Sequence, residues 1–132
     1  MRKISNIDFE EYVKELLVEE LKESNLVNSL KKKFFELDPE KVKSLLKWKK
    51  PLGKDKALGK VFVSEVCTQG RYAVAILELS NGSEILNHRH TDDEEYYIVW
   101  RGDKTKCSLG EGHGLKNLSG TSMYVLSIKV KK

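Results

Sequence analysis

The chain has 132 residues, of which 33% are charged and 39% hydrophobic, and its formal net charge is +4. This length and balance are typical of one soluble globular domain with its own core. They exclude a membrane-spanning helix, which needs roughly 18 consecutive apolar residues. The N-terminal residues show no apolar stretch of a secretory signal, and two cysteines make no disulfide framework. We therefore expect a cytoplasmic protein without a membrane partner.

The first fifty residues predict helices. Asp8 is a plausible N-cap, and one apolar stripe with helical spacing follows it. The stripe consists of Phe9, Tyr12, Val13, Leu16, Leu17 and Leu21. A second helix is predicted from about Asn25 to Glu36, and Asp38-Pro39 is typical of the cap and first turn of a third. We expect residues 1–50 to be a helical segment of the same domain as the rest of the chain.

Positive charge is concentrated in one part of the chain. Residues 31–56 carry ten lysines against four acidic residues, whereas residues 1–30 carry four basic residues against seven acidic ones. Such a segment could meet a phosphate backbone or an anionic surface, but a basic run is more often a solvated helix face. Because no known DNA- or RNA-binding motif accompanies it, we do not expect a nucleic-acid partner.

The pattern changes to β after the helices. Pro51-Leu52-Gly53 ends the helical pattern, and we expect residues 51–59 to be a linker. Residues 60–67 and 71–80 are rich in β-branched and aromatic residues, which predicts two strands with a turn at Thr68-Gln69-Gly70. Near the C-terminal end, alternation predicts a half-buried strand. Its two faces would carry Tyr124, Leu126, Ile128 and Val130 on one side and Val125, Ser127 and Lys129 on the other.

All three histidines of the chain lie close together in its second half. His88 and His90 are two residues apart, so on a strand they project from the same face. Glu95 follows five residues later, and His113 supplies a third imidazole. Three nitrogens and one carboxylate oxygen suit Fe, Mn, Co, Ni, Cu or Zn better than Mg or Ca. The alternative is a chance cluster of surface histidines in a polar loop, which is common for a lone His-x-His pair.

The spacing of these residues follows a longer pattern. From Gly82 to Gly102 the sequence reads G-x5-H-x-H-x4-E-x6-G, which resembles the first motif of the cupin family. The second cupin motif, G-x5-P-x-G-x2-H-x3-N, is matched from Gly102 to Asn117, except that Ser108 stands where proline is usual. The resemblance implies an α+β chain that is mainly β, with an antiparallel jelly-roll β-barrel over residues 60–132 after the helical segment. It also implies one divalent transition metal near the barrel mouth, held by His88, His90, Glu95 and His113.

The two motifs share Gly102, whereas an additional pair of strands normally separates them in cupins. The strands that flank this missing pair are neighbours in the family's jelly roll, so here they can join directly as a hairpin. Residues 96–100 and 105–109 fit such a hairpin around a turn at Gly102-Asp103. We therefore predict a shortened barrel that is open at one side. The apolar helix stripes would cover that side or form the interface of a homodimer, which is common among cupins.

Strand alternation predicts what surrounds the metal. If His88 and His90 point inward, Asn87 and Arg89 point outward. The predicted lining is mostly apolar, as in many small-molecule sites, and consists of Glu84, Leu86, Tyr97, Val99, Cys107, Leu115 and Asn117. Tyr97 is the candidate catalytic residue, as an acid or hydrogen-bond donor, although a tyrosine of the barrel core explains it equally well. Cys107 fits a small buried hydrophobe better than a nucleophile.

Three functions fit such a site. A metal-dependent enzyme would use the ion as Lewis acid, template or redox centre, and the resemblance points to dioxygenases, isomerases and decarboxylases of small organic molecules. A metal-free epimerase would use a histidine as general base, but four filled ligand positions make it the weaker alternative. A non-catalytic module would bind or sense a sugar-like small molecule. We favour an enzyme with a small-molecule substrate, while the sequence leaves the metal, the reaction and turnover itself open.

Overall fold

The computed structural model describes residues 8–19, 21–102, 104–108 and 110–132. Within these ranges three helices precede nine strands, so the expected mainly-β chain with N-terminal helices is confirmed. The helices are α1 (Phe9–Leu17), α2 (Glu23–Glu36) and α3 (Pro39–Ser44). The strands are β1 (Lys50–Pro51), β2 (Ala57–Leu58), β3 (Val61–Gln69), β4 (Tyr72–Leu79), β5 (Glu84–Arg89), β6 (Asp93–Val99), β7 (Lys104–Cys107), β8 (Gly112–Lys116) and β9 (Met123–Lys131). None of the described helices is long and apolar enough to cross a membrane.

The strands form two antiparallel sheets. The larger has the order β1-β3-β4-β9-β6-β7, and the smaller has the order β2-β5-β8. Strands β6 and β7 are direct neighbours, with Tyr97 opposite Thr105, which confirms the predicted hairpin. In its turn Arg101, rather than Gly102, adopts a left-handed conformation with a φ of 57°. Asp103, the other predicted turn residue, lies outside the described residues, as does Leu109 of the second predicted arm.

The helices begin close to where the sequence predicts. Asp38 is the N-cap of α3, and its side chain accepts a hydrogen bond from the backbone N–H of Lys41 at 2.8 Å, while Pro39 fills the first turn. Asp8 stands at the N-cap position of α1, but its side chain makes no capping hydrogen bond. Helix α2 begins at Glu23, two residues before the predicted start.

The helices pack on the outer face of the larger sheet, not over an open side of the barrel as we expected. One buried cluster joins helix residues to outward-facing strand residues, among them Phe9, Val13, Leu30, Phe34, Ile76, Ile98, Leu126 and Ile128. The reason lies in the sheet itself, since alternate residues of its three central strands are apolar on that face. Burying each such side chain is worth roughly 1.5–3 kcal/mol, so the helices cover the largest apolar surface available.

This packing changes the environment of β9. The strand lies between β4 and β6 in the centre of the larger sheet. Leu126 and Ile128 pack in the helix-side cluster, whereas Val125 packs in a second cluster between the sheets. All four residues from 125 to 128 are buried, so the predicted half-burial fails there, whereas from Ile128 to Lys131 buried and exposed residues alternate as predicted. Helices cover the face that would otherwise meet solvent.

Two local features of the chain differ from the sequence-based expectation. The segment 51–59, expected as a linker, takes part in pairing, because Pro51 lies opposite Phe62 of β3 and Ala57 opposite Ile85 of β5. Strand β3 continues to Gln69, so its turn into β4 falls at Gly70 and Arg71 instead of residues 68–70. Gly70 has a φ of 59°, which glycine adopts without strain.

Candidate metal centre

The candidate ligands come from both sheets. In the smaller sheet β5 pairs with β8 so that His88 lies opposite His113, and His90 follows immediately after β5. In the larger sheet β6 carries Glu95. Their ligand atoms all lie within 4.8 Å of one another. The structure therefore brings together the four side chains that the sequence singled out.

The nitrogen atoms form a regular triangle. The Nε2 atoms of His88, His90 and His113 are 3.0 Å apart in each of the three pairs. The Oε1 atom of Glu95 is 2.9 Å from Nε2 of His90, 3.2 Å from that of His113 and 4.0 Å from that of His88. One oxygen thus approaches two of the nitrogens closely and lies farther from the third.

The contacts of the other ring nitrogens show where the protons are. Nδ1 of His88 donates a hydrogen bond to the backbone carbonyl of Leu86 at 2.8 Å. Nδ1 of His90 is 2.8 Å from Oδ1 of Asp93; the two atoms are not aligned as a hydrogen bond, but a carboxylate at this distance favours the proton of the ring on Nδ1. Burial lowers the pKa of His88 and keeps its ring neutral near pH 7. In both rings Nε2 therefore presents a lone pair to the centre.

The Nε2 lone pairs and the Glu95 carboxylate place more hydrogen-bond acceptors at the centre than there are donors to satisfy them. Oε1 of Glu95 is buried and has no aligned hydrogen-bond donor. Two lone pairs 3.0 Å apart cannot hydrogen-bond to each other, and packing them beside a carboxylate without a cation costs free energy. A bound cation removes this conflict. The residues therefore fit a metal ion, which neutral histidine and carboxylate ligands can hold.

Glu95 is held in its charged form. Its side chain is almost fully buried, and Oγ of Ser127 donates a hydrogen bond to its Oε2 at 2.5 Å. Burial alone would raise the pKa of this carboxyl, but His113, Ser127 and the charge of Lys129 outweigh burial, and the pKa lies below its ordinary value. One oxygen is thus fixed by Ser127 while the other faces the histidines.

A β-bulge in β5 sets the direction of His88. Ile85 lies opposite Leu115 and His88 opposite His113, so three steps along β5 match two along β8. The bulge places the carbonyl of Leu86 within reach of the His88 ring. Strand β8 makes room for it, because a Cβ at Gly114 would lie only 2.7 Å from the carbonyl oxygen of Ile85.

The bulge also corrects one predicted set of lining residues. Strict alternation placed Glu84 and Leu86 on the inward face with His88, but alternation fails across the bulge. Ile85, which is 1% exposed, packs between the sheets instead. Asn87 and Arg89 are exposed, as predicted.

Tyr97 lies against the centre without a ligand atom in it. Its ring stacks on that of His113, with centroids 4.7 Å apart and planes 13° apart. Burial, followed by the negative charge of Glu95, raises the pKa of its phenol. The hydroxyl therefore stays protonated at neutral pH and is a hydrogen-bond donor, not a base, with the Glu95 carboxylate as its neighbour.

The other predicted lining residues divide into two groups. Val99 and Leu115 pack in the inner cluster, and Cys107 is a buried free thiol opposite Glu95. Asn117 is buried too, but its amide donates to the carbonyls of Leu79 and Thr121 at 2.9 and 2.7 Å. Asn117 therefore anchors the turn before β9 and does not line the centre.

A cavity of about 190 Å³ adjoins the candidate ligands. The larger sheet supplies wall residues that the sequence did not reveal, namely Val63, Glu65, Ala73, Ala75, Leu77, Ser127 and Lys129. Ser127 and Lys129 were missed because their role depends on β9 pairing with β6, where Lys129 lies opposite Glu95. Alternation along β9 places both on one face, but no local signal pairs that face with the histidine strand.

Solved structures share this fold. No protein-family model matches the sequence, and no curated protein matches it either. A predicted oxalate decarboxylase from Thermotoga maritima aligns with a TM-score of 0.59 at 17% identity, over 64% of this chain and 92% of that one. A conserved Klebsiella pneumoniae protein with a double-stranded β-helix domain aligns with a TM-score of 0.53 at 16% identity, over 68% and 86%. A protein from Thermus thermophilus aligns with a TM-score of 0.51 at 17% identity, over 73% and 97%. At these identities the likeness establishes the two-sheet jelly roll alone.

Proposed function

We propose that this chain, which has the cupin fold and gathers three histidines and one glutamate between its two sheets, is a metal-dependent enzyme that acts on a small organic molecule. His88, His90, Glu95 and His113 would hold one divalent transition-metal ion. The observation that carries the proposal is the close approach of four potential ligand atoms, the three histidine Nε2 atoms and Oε1 of Glu95, which lie 2.9 to 4.0 Å from one another.

The distances favour an ion with octahedral preference. Ligands about 2.1 Å from one ion are about 3.0 Å apart at neighbouring octahedral positions, about 4.2 Å apart at opposite ones and about 3.4 Å apart in a tetrahedron. The three nitrogens are 3.0 Å apart, which matches one octahedral face. Oε1 of Glu95 lies 2.9 and 3.2 Å from two of these nitrogens but 4.0 Å from Nε2 of His88, so the four atoms do not form a regular tetrahedron. This spacing would suit Fe, Mn, Co or Ni better than tetrahedral Zn.

The chain's own residues would orient the ligands and the substrate. When bound, the ion would supply Lewis-acid or redox chemistry. The Leu86 carbonyl holds the ring of His88 through its Nδ1, and the Asp93 carboxylate, 2.8 Å from Nδ1 of His90, would orient that ring, as groups behind the ligands do in metal sites. Tyr97 would donate a hydrogen bond from its protonated phenol to a substrate oxygen. The apolar wall with Leu77 and Ile85 would exclude water from the reacting group.

Turnover by metal-loaded protein tests the proposal. Protein reconstituted with Fe(II), Mn(II), Co(II) or Ni(II) is incubated in air with a panel of small hydroxy acids, keto acids and diketones, and products are followed by mass spectrometry. We expect at least one substrate to be converted by wild-type protein. Conversion should fall at least about 100-fold in Glu95→Gln, because the anionic ligand is lost. Glu84→Gln is the matched control, since this glutamate lies on β5 outside the cavity, and it should retain wild-type rates.

Binding without conversion would contradict catalysis. If metal-loaded protein binds members of the panel but leaves all of them unchanged, the chain is the non-catalytic binding module that the sequence also allows. Conversion that survives Glu95→Gln would contradict the assigned centre.

A further inference from the structure

The cavity beside the candidate metal centre limits the size of its ligand. Its volume of about 190 Å³ equals the volume of roughly six molecules in liquid water. Most sites for drug-sized ligands are larger, at roughly 300–1,000 Å³. Ala73 and Ala75 create the space, because larger side chains at these inward positions of β4 would fill it. This volume suits a ligand with a few carbon atoms.

The inner face of the larger sheet changes from apolar to charged along its length. Across β4 and β9 it pairs Leu77 with Val125, then Ala75 with Ser127, then Ala73 with Lys129. The apolar end suits the hydrocarbon part of a ligand. The charged end lies beside the candidate centre, because Lys129 is also opposite Glu95 of β6.

The charges around the cavity favour an anion. Lys56 and Lys129 contribute two positive charges, and Glu65 and Glu95 contribute two negative ones. A divalent ion among the ligands therefore leaves an excess of two positive charges. Within the described part of the chain, no salt bridge joins Lys129 to an acidic side chain, although its charge acts on Glu95. Once a metal ion neutralises Glu95, Glu65 is the remaining carboxylate of the cavity wall, and no salt bridge joins it to Lys129 among the described residues.

We infer that the cavity takes a small organic anion, a carboxylate of a few carbon atoms, whose charged group is bound by Lys129 while a second polar group reaches the metal. This inference rests on the proposed function, because it needs the metal in place. It makes Lys129 the residue that determines the preference for acids over neutral molecules. Lysine binds carboxylates through charge-assisted hydrogen bonds, which are about twice as strong as neutral ones.

Binding to metal-loaded protein tests the inference without measuring turnover. Straight-chain and 2-hydroxy carboxylates of about two to six carbon atoms, and the neutral amide of each, are titrated by calorimetry into Co(II)-loaded wild-type protein, Lys129→Met, Lys129→Arg and Lys116→Met. Lys116 lies on β8, is exposed and does not line the cavity, so it is the matched control. The metal content and the melting temperature of each sample are measured first.

We expect at least one carboxylate to bind about tenfold or more tightly than its amide to wild-type protein. That preference should disappear in Lys129→Met, return in part in Lys129→Arg and persist in Lys116→Met, with one metal ion retained in all four. Equal binding of every acid and its amide by metal-loaded wild-type protein, or a preference that Lys129→Met leaves unchanged, would overturn the inference. Wild-type protein that takes up no metal would instead overturn the proposed function.

Discussion

Replacing Gly114 by alanine tests whether the bulge in β5 positions His88. A Cβ at this position would lie 2.7 Å from the carbonyl oxygen of Ile85 and 3.0 Å from the backbone nitrogen of Asn87. Ordinary contact distances require roughly 0.5 Å more, and because both neighbours are backbone atoms the bulge itself must move. A shift of about 0.5 Å is the limit within which a functional group keeps its geometry. The 2.8 Å hydrogen bond from His88 to Leu86 would be lost or lengthened.

We expect Gly114→Ala to weaken metal binding about 10- to 100-fold, which is typical when a group that orients a ligand is removed. Gly112→Ala is the matched control on the other side of His113, because its Cβ would meet only side-chain atoms of Asn87, the nearest being Oδ1 at 2.8 Å. That side chain is exposed and can rotate away. Competition with a chromogenic chelator measures both affinities, and circular dichroism checks the fold. Equal metal affinity in the two variants would refute the role of the bulge.

Three further changes address other parts of the molecule. Ser127→Ala removes the donor to Oε2 of Glu95 and should weaken metal binding about tenfold in the same competition assay, whereas unchanged affinity would contradict its orienting role. Phe34 is fully buried, so Phe34→Ala should lower the free energy of unfolding in urea by about 3–5 kcal/mol without changing metal stoichiometry. A loss of less than about 1 kcal/mol would refute the packing of the helices on the larger sheet. Burial would raise the pKa of Glu23, but hydrogen bonds from Lys132, at 2.8 Å, and from Tyr96, together with the charges of Lys132 and Lys106, outweigh it and the pKa is lowered. The contribution of ionised Glu23 to the free energy of unfolding is complete above the ordinary pKa of 4.5 and is lost as the pH falls through the lower folded value. In Glu23→Gln the free energy of unfolding in urea should therefore fall less steeply between neutral and acid pH. A pH profile identical to that of wild-type protein would contradict this role.

The sequence placed the candidate centre well because motif spacing encodes it locally. His88, His90 and Glu95 lie within eight residues of one another in the chain. The hairpin between β6 and β7 is short, so β8 follows it closely and brings His113 opposite His88. Such short separations leave little freedom, so pattern alone brought the four residues together.

Features that depend on distant packing escaped prediction. Ile85 and Leu86 are both apolar, so the sequence does not show that strand alternation is interrupted between them. The bulge is accommodated by Gly114 on the facing strand, where a Cβ would collide with it. The burial of the outer face of β9 depends on helices that are about 100 residues earlier in the chain. Lys129 lines the cavity because β9 pairs with β6, which places Lys129 opposite Glu95. Strand alternation does not specify which distant strand is the neighbour or in which register it pairs.

The most direct test of the metal centre is elemental analysis of untagged protein purified without chelator and then titrated with Fe(II), Mn(II), Co(II) and Ni(II). Wild-type protein should hold about one equivalent of transition metal per chain, because the described residues include one set of four candidate ligands. His88→Ala with His90→Ala should hold none while remaining folded, whereas Asn87→Ala with Arg89→Ala, exposed positions of the same strand, should match wild type. Wild-type protein without metal after titration, or unchanged stoichiometry in the double histidine variant, would contradict the assignment.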